Sequence, residues 1–131
     1  KIDERKNIHL IMQAFIELEL PNVYLVVFGV PDDIMKNRLE KYKNARNIIQ
    51  LGWLNNKRIY EVLLSSNFGI FPGTHSVLWE QSIGIGLPCA FKRWYGMEHV
   101  DVGGNCVFLE EGSKDEIFAI VNKIINSKKY Y

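Results

Sequence analysis

The sequence predicts an α/β domain, a doubly wound, Rossmann-like parallel sheet flanked by helices. Three observations predict it. Five short runs are mostly continuous in apolar residues, the mark of strands buried on both faces. Segments with one-face helical spacing lie between most of them. The elements alternate as α-β-α-β-α-β-α-β-β-α, the order of a sheet built by crossovers.

Taken in order, Ile8, Ile11, Met12 and Phe15 recur on one helical face, and Asn7 stands where an N-cap belongs. Residues 23–28 (VYLVVF) form the first predicted strand. After Pro31, a second helix carries Ile34, Met35, Leu39 and Tyr42 with weaker periodicity. Residues 48–51 (IIQL) form the second strand. Asn55 or Asn56 caps a third helix, which carries Ile59, Val62 and Leu63. Residues 68–71 (FGIF) are the third strand, and Val77, Glu80, Gln81 and Gly84 lie in a fourth helix. Strands four and five are 89–91 (CAF) and 106–109 (CVFL). Ser113 with Glu116 makes a capping box, followed by the apolar stripe Ile117, Ile120, Val121 and Ile124. A βαβ unit requires a strand ahead of the first helix, yet the chain starts almost at that helix. That strand lies upstream, or the sheet does without it. The longest irregular stretch, 92–105, holds Trp94-Tyr95-Gly96 and Gly103-Gly104; loops of this length are commonly functional.

A chain of 131 residues suits one domain, here 1–131. Hydrophobic residues at 47% and charged residues at 24% describe an ordinary globular protein. Sixteen basic against fifteen acidic side chains leave a net charge of +1. No global field draws in nucleic acid or an anionic membrane, so a bound anion must be held locally. Cys89 and Cys106 sit in apolar runs without metal-ligand spacing and read as reduced core thiols. The expected location is cytoplasmic, or peripheral at the inner membrane surface. No apolar run approaches the ~20 residues of a membrane span, and nothing reads as a signal peptide. The start at Lys1, without Met, reads as a piece of something longer.

Ligands of open α/β sheets bind beyond the carboxyl ends of the strands. Those ends carry residues 1–7, Gly29-Val30-Pro31, Gly52-Trp53-Leu54, Pro72-Gly73-Thr74-His75-Ser76 and residues 92–97. Residues 71–88 (FPGTHSVLWEQSIGIGLP) run strand, glycine turn, helix, then Gly-Leu-Pro into the next strand. Free N–H groups at that helix start favour an anion such as a diphosphate. Glu80 lies about one turn inside, too deep to cap, where a carboxylate accepts two hydrogen bonds from vicinal hydroxyls such as those of a ribose. Lys6 precedes a helix start, where it opposes the macrodipole and needs another reason to be present.

Each of these residues also has a plainer reading. Glu80 is a good helix former, and Lys6 and Lys1 belong to a solvated charged run. His75 either donates to a phosphate or sugar hydroxyl or satisfies its own turn. His9 and His99 read as structural. Trp53 either lines a base pocket or is a buried aromatic behind a strand, and Trp79 packs in the core. Trp94, Tyr95 and Met97 suit a donor site, contacts to another domain, or simple burial by it.

Segment 71–88 resembles the donor-binding motif of group 1 glycosyltransferases of the GT-B fold, with Glu80 and Gly86-Leu87-Pro88 matching its second half. Residues 1–7 (KIDERKN) are similar to that family's Gly-Arg-to-Lys-Gly segment, and Gly52-Trp53-Leu54 to its Leu-Gly-aromatic segment. The resemblance implies a donor-binding C-terminal domain of a hexosyltransferase in polysaccharide or glycoconjugate biosynthesis, with its N-terminal acceptor domain outside this chain. It implies ribose binding by Glu80, diphosphate binding by Lys6, Lys1, Gly73 and Thr74, and a base pocket at Gly52, Trp53 and Leu54. Pro72 departs from the family, which has a sugar-contacting Glu there. Sugar contacts then fall to His75, Ser76, Thr74 and backbone N–H groups. No cofactor or metal is implied, since the nucleotide-diphosphate sugar is the donor substrate. The expected partners are that donor and a glycan or lipid-linked acceptor, with no nucleic acid and no transmembrane segment. The isolated domain is expected to be inactive, with no catalytic residue assigned.

Other classes remain. A sugar-nucleotide epimerase of the same fold would share the nucleotide site, and a binding-only α/β domain is compatible with the lost Glu. A phosphoacceptor receiver domain requires an Asp at the central strand end, where Gly52 and Pro72 stand instead.

Overall fold

A computed structural model describes residues 1–127. Each predicted strand is present, the first three in a shorter core, the fourth one residue longer and the fifth with the expected bounds. The first, β1, is Leu25–Val27 and pairs in parallel with β2, Ile48–Gln50, with Leu25 opposite Ile48 and Val27 opposite Gln50. The others are β3 (Gly69–Phe71), β4 (Cys89–Lys92) and β5 (Cys106–Leu109), parallel in the order β3-β4-β5. The single sheet expected from the alternation is therefore two parallel sheets among the described residues. Neither sheet reaches across to the other, because no described strand stands between β1 and β3. Ile2 makes an isolated parallel bridge with Pro31, beyond the end of β1.

Five helices cover these strands. Helix α1 (Ile8–Leu18) buries Ile11, Met12, Ala14 and Phe15, and α5 (Lys114–Ile125) buries Ile117, Val121 and Ile124. The two pack on each other, and their core takes in residues from both sheets, Val27 and Ile48 of one and Ala90 and Leu109 of the other. Helix α2 (Asp33–Glu40) adds Met35 and Leu39. A second core lies with α3 (Asn56–Ser65) and α4 (Val77–Gly84), where Leu63, Trp79, Phe91 and Val100 are buried. Trp79 lies 4.8 Å from Phe91, and Phe71 stacks on Phe91 at 5.5 Å.

Helix starts follow local chemistry with two corrections. Asn7 occupies the N-cap position of α1 in the left-handed region (φ 58), and its side chain does not cap. It donates instead to the Pro72 carbonyl at 3.1 Å. Helix α2 is capped by Asp32, which accepts from Met35 N–H, and it ends at Glu40, leaving Tyr42 buried in the following turn. Asn55, rather than Asn56, caps α3. The Ser113–Glu116 capping box is present as expected. Two short 3-10 turns, Glu4–Lys6 and Glu98–Val100, carry no periodicity and were not legible. No described helix is long and apolar enough to cross a membrane.

Candidate functional site

The rim beyond the strand ends is built around the N-terminal segment. Ile2 ties it to the end of β1, its N–H donating to Val30 O at 2.8 Å. Three residues later the chain reaches the end of β3, where Thr74 N–H donates to Arg5 O at 3.1 Å. Gly73 makes this approach possible. A Cβ there would lie 2.1 Å from Arg5 O and 2.5 Å from the Lys6 backbone, closer than any side chain allows. The Lys6 ammonium then donates to the carbonyls of Thr74 at 3.2 Å and His75 at 3.0 Å. This is the reason for a lysine ahead of α1. Burial pulls its pKa down, Asp3 opposes that shift and Arg5 adds to it.

Gly73 serves the close packing of the N-terminal segment, and the Thr74 N–H donates to Arg5 O. Ser76 is the N-cap of α4, and its side chain makes no capping bond, unlike Asp32, Asn55 and Ser113 at their helices. The first turn of α4 therefore keeps donors that no cap takes.

Glu80 stands in that first turn, 43% exposed. Both its oxygens accept from His75 Nε2, at 2.6 and 2.9 Å, and His99 Nε2 approaches to 3.5 Å. His75 also meets Trp79 edge-on at 5.2 Å. Burial alone would raise the Glu80 pKa. The His75 hydrogen bond, a backbone N–H and the charge of His75 outweigh it, with His99 contributing, and the carboxyl is held below its ordinary value. Lys6, His75 and Glu80 thus form one bonded chain, through His75 O on one side and His75 Nε2 on the other. His99 was read as structural. It comes from the 3-10 turn Glu98–Val100, nineteen positions from Glu80, and no local pattern announces that meeting.

The loop 92–105 has a defined role. Trp94 Nε1–H donates to Gly73 O at 2.9 Å, and Lys92 Nζ lies 4.1 Å over the Trp94 ring. Lys92 is a cation beside the 73–76 loop that the candidate residues left out. Gly112, also overlooked, abuts the loop's start, since a Cβ there would lie 2.0 Å from Pro72 O. Tyr95 is fully exposed.

The remaining candidates lie on the other sheet. Gly52 O accepts from Gly29 N–H at 2.8 Å, beyond β2. Trp53 is 72% exposed, which overturns the burial reading, and Leu54 is half-buried. Lys1 is exposed above the gap between the sheets. No hydrogen bond among the described residues joins residues 52–54 to the 73–76 loop. A cavity of about 490 Å³ occupies that gap; apolar side chains line most of it, and Lys6, Gly73, Thr74 and Ser76 of the polar rim border it as well.

Parallel strands whose carboxyl ends meet one polar rim make this a Rossmann-like α/β domain, of the class that holds ligands at such rims. The chain belongs to the group 1 glycosyltransferases, since the pattern of the family described as "Glycosyl transferases group 1" matches residues 1–131. Among solved structures it is similar to Anabaena HepE, crystallised in complex with UDP and glucose, with a TM-score of 0.80 at 16% identity. That match covers 99% of this chain and 38% of HepE, so the chain spans well under half of its structural relative. No curated protein sequence matches it.

Proposed function

We propose that this domain binds the nucleoside-diphosphate part of a sugar donor at the rim formed by Lys6, residues 73–76 and Glu80. In this reading it is the donor half of a hexosyltransferase acting on a glycan or lipid-linked acceptor, in polysaccharide or glycoconjugate biosynthesis. The carrying observation is that Lys6, His75 and Glu80 are one hydrogen-bonded chain at the uncapped start of α4. A carboxylate has about four acceptor positions. His75 engages both Glu80 oxygens, and the acceptor positions it leaves suit the two vicinal hydroxyls of a ribose. The α4 N–H groups and Lys6, with Lys92 close by, suit the diphosphate.

Such a site acts by position and charge. It holds the donor's anomeric carbon toward the acceptor and stabilises negative charge as the diphosphate leaves. Lys6 serves this when its ammonium turns from the Thr74 and His75 carbonyls to a phosphate oxygen. The Pro72–Ser76 backbone and side chains border the sugar, and exposed Trp53 offers a face for the base.

Calorimetry with UDP, GDP and their sugars tests the proposal. Binding of one nucleoside diphosphate is expected, and Glu80→Ala should weaken it at least tenfold. No binding by the wild-type chain, or unchanged binding by Glu80→Ala, sinks it.

A further inference from the structure

The 3-10 turn Glu98–Val100 is held in place from both ends. Val100 is fully buried in the second core, where Trp79 of α4 also lies. Asn105 donates from Nδ2 to Val100 O at 2.9 Å and accepts at Oδ1 from Val102 N–H at 2.8 Å. Asp101 N–H donates to Glu98 O at 3.0 Å, and its Oδ1 accepts from Gly103 N–H at 3.1 Å. Asn105 O in turn accepts from Cys89 N–H at 3.2 Å, which ties the segment to the start of β4. These bonds fix the backbone that carries His99, and they leave its ring for the rim. That ring is half-exposed, and its Nε2 stands 3.5 Å from Glu80 Oε1.

Glu80 does not need this second imidazole. His75 Nε2 already lies 2.6 and 2.9 Å from its oxygens, well inside hydrogen-bond range, whereas the 3.5 Å to His99 is at the outer limit. A carboxylate only accepts, so a His99 nitrogen turned to it carries the proton and is a spare donor. A donor beside an acceptor fits a hydroxyl, which gives one hydrogen and keeps two lone pairs. A hydroxyl bonded to both at about 2.8 Å, near the tetrahedral angle, holds the two atoms about 4.5 Å apart. Rotation of the half-exposed His99 side chain opens the gap that far, and the fixed backbone does not have to move.

We infer that His99 is a specificity-determining residue of the rim: it donates to the oxygen of the same nucleotide hydroxyl whose hydrogen Glu80 accepts, and so selects ribose over deoxyribose. The inference rests on the nucleotide reading of the rim and adds to it a residue from a different element. Glu80 alone holds the hydrogen of the hydroxyl; with His99 the oxygen is held as well. A nucleotide without that hydroxyl leaves both partners unmatched, whereas a chain without His99 loses only its share of the preference.

The test is calorimetry on the 131-residue chain with the nucleoside diphosphate it binds, UDP or GDP, and with the 2′-deoxy and 3′-deoxy forms of that nucleotide. The wild-type chain is expected to prefer the ribose form over at least one deoxy form by about tenfold or more. In His99→Ala that preference should fall to about threefold or less, with the affinity for that deoxy form unchanged. His99→Gln keeps an N–H donor and should retain an intermediate preference, an order that a purely structural role would not produce. Equal weakening of ribose and deoxy forms by His99→Ala, or an unchanged preference, overturns the inference while the nucleotide reading stands. So does a wild-type chain that binds ribose and deoxy forms alike. A loss confined to a nucleotide sugar moves His99 to the sugar and overturns the inference too. Failure of the wild-type chain to bind any nucleotide removes the nucleotide reading and the inference together.

Discussion

The Glu80 carboxylate is shared between two imidazoles, and this sets how the rim should respond to substitution and pH. Glu80→Gln keeps the shape and removes the charge, and the Kd for UDP is expected to rise roughly tenfold to a hundredfold in calorimetry. Because His75 and the backbone outweigh burial, Glu80 ionises below its ordinary value of 4.5. A carboxylate with a depressed pKa stays ready above that value, and its contribution disappears only as pH falls through the depressed one. UDP affinity should therefore hold between pH 7 and about 5 as far as Glu80 controls it, then decline. A loss of affinity well above about pH 5 would make another group the controlling one. Gly73 gives a second prediction at this scale. Gly73→Ala places a methyl against Arg5 O and should destabilise the domain by about 1–3 kcal/mol in urea unfolding while weakening UDP binding, because Lys6 loses its loop. A stable Gly73→Ala domain with normal UDP affinity would contradict this.

Among the elements, α5 is the one whose start the sequence spells out. Glu116 accepts from the N–H groups of Glu110 at 2.6 Å, Glu111 at 2.8 Å and Ser113 at 3.2 Å. Burial pushes its pKa up, but these backbone donors pull it below 4.5 overall. The sign follows from that depression. Its stabilisation is present above the unfolded-state value and is lost as pH falls through the folded one. Glu116→Gln should cost about 1 kcal/mol at neutral pH and flatten the acid limb of a Tm-against-pH curve; an unchanged acid limb would place the acid sensitivity elsewhere. In the second core, Phe91 is fully buried between Phe71 and Trp79. Phe91→Ala should cost about 3–5 kcal/mol in denaturant unfolding. Cys89, on the same strand, is fully buried, and burial pushes its thiol up to about 12, so it should resist alkylation at neutral pH while the chain is folded.

At the scale of the molecule, the proposed function makes the rim one side of a cleft. The chain covers 38% of HepE. Nucleotide binding without turnover is the expected behaviour of these 131 residues, and measurable sugar transfer by them alone would show that the acceptor side lies within the chain.

The sequence by itself determined the strands, the order of the five helices, the α5 capping box and the strand-turn-helix course of the 71–88 segment. Those features depend on periodicity and on contacts between residues close in the chain, which a single sequence displays. The meeting of Lys6 with the Thr74 and His75 carbonyls, of His99 with Glu80, and of Trp94 with Gly73 was decided only by the tertiary structure. Gly73 shows the reason. As a turn glycine ahead of a helix it was legible, but the backbone it must admit lies sixty-eight positions away, at Arg5. The same holds for the division into two sheets: alternation shows that strands are parallel, and only their placement in space shows which of them pair.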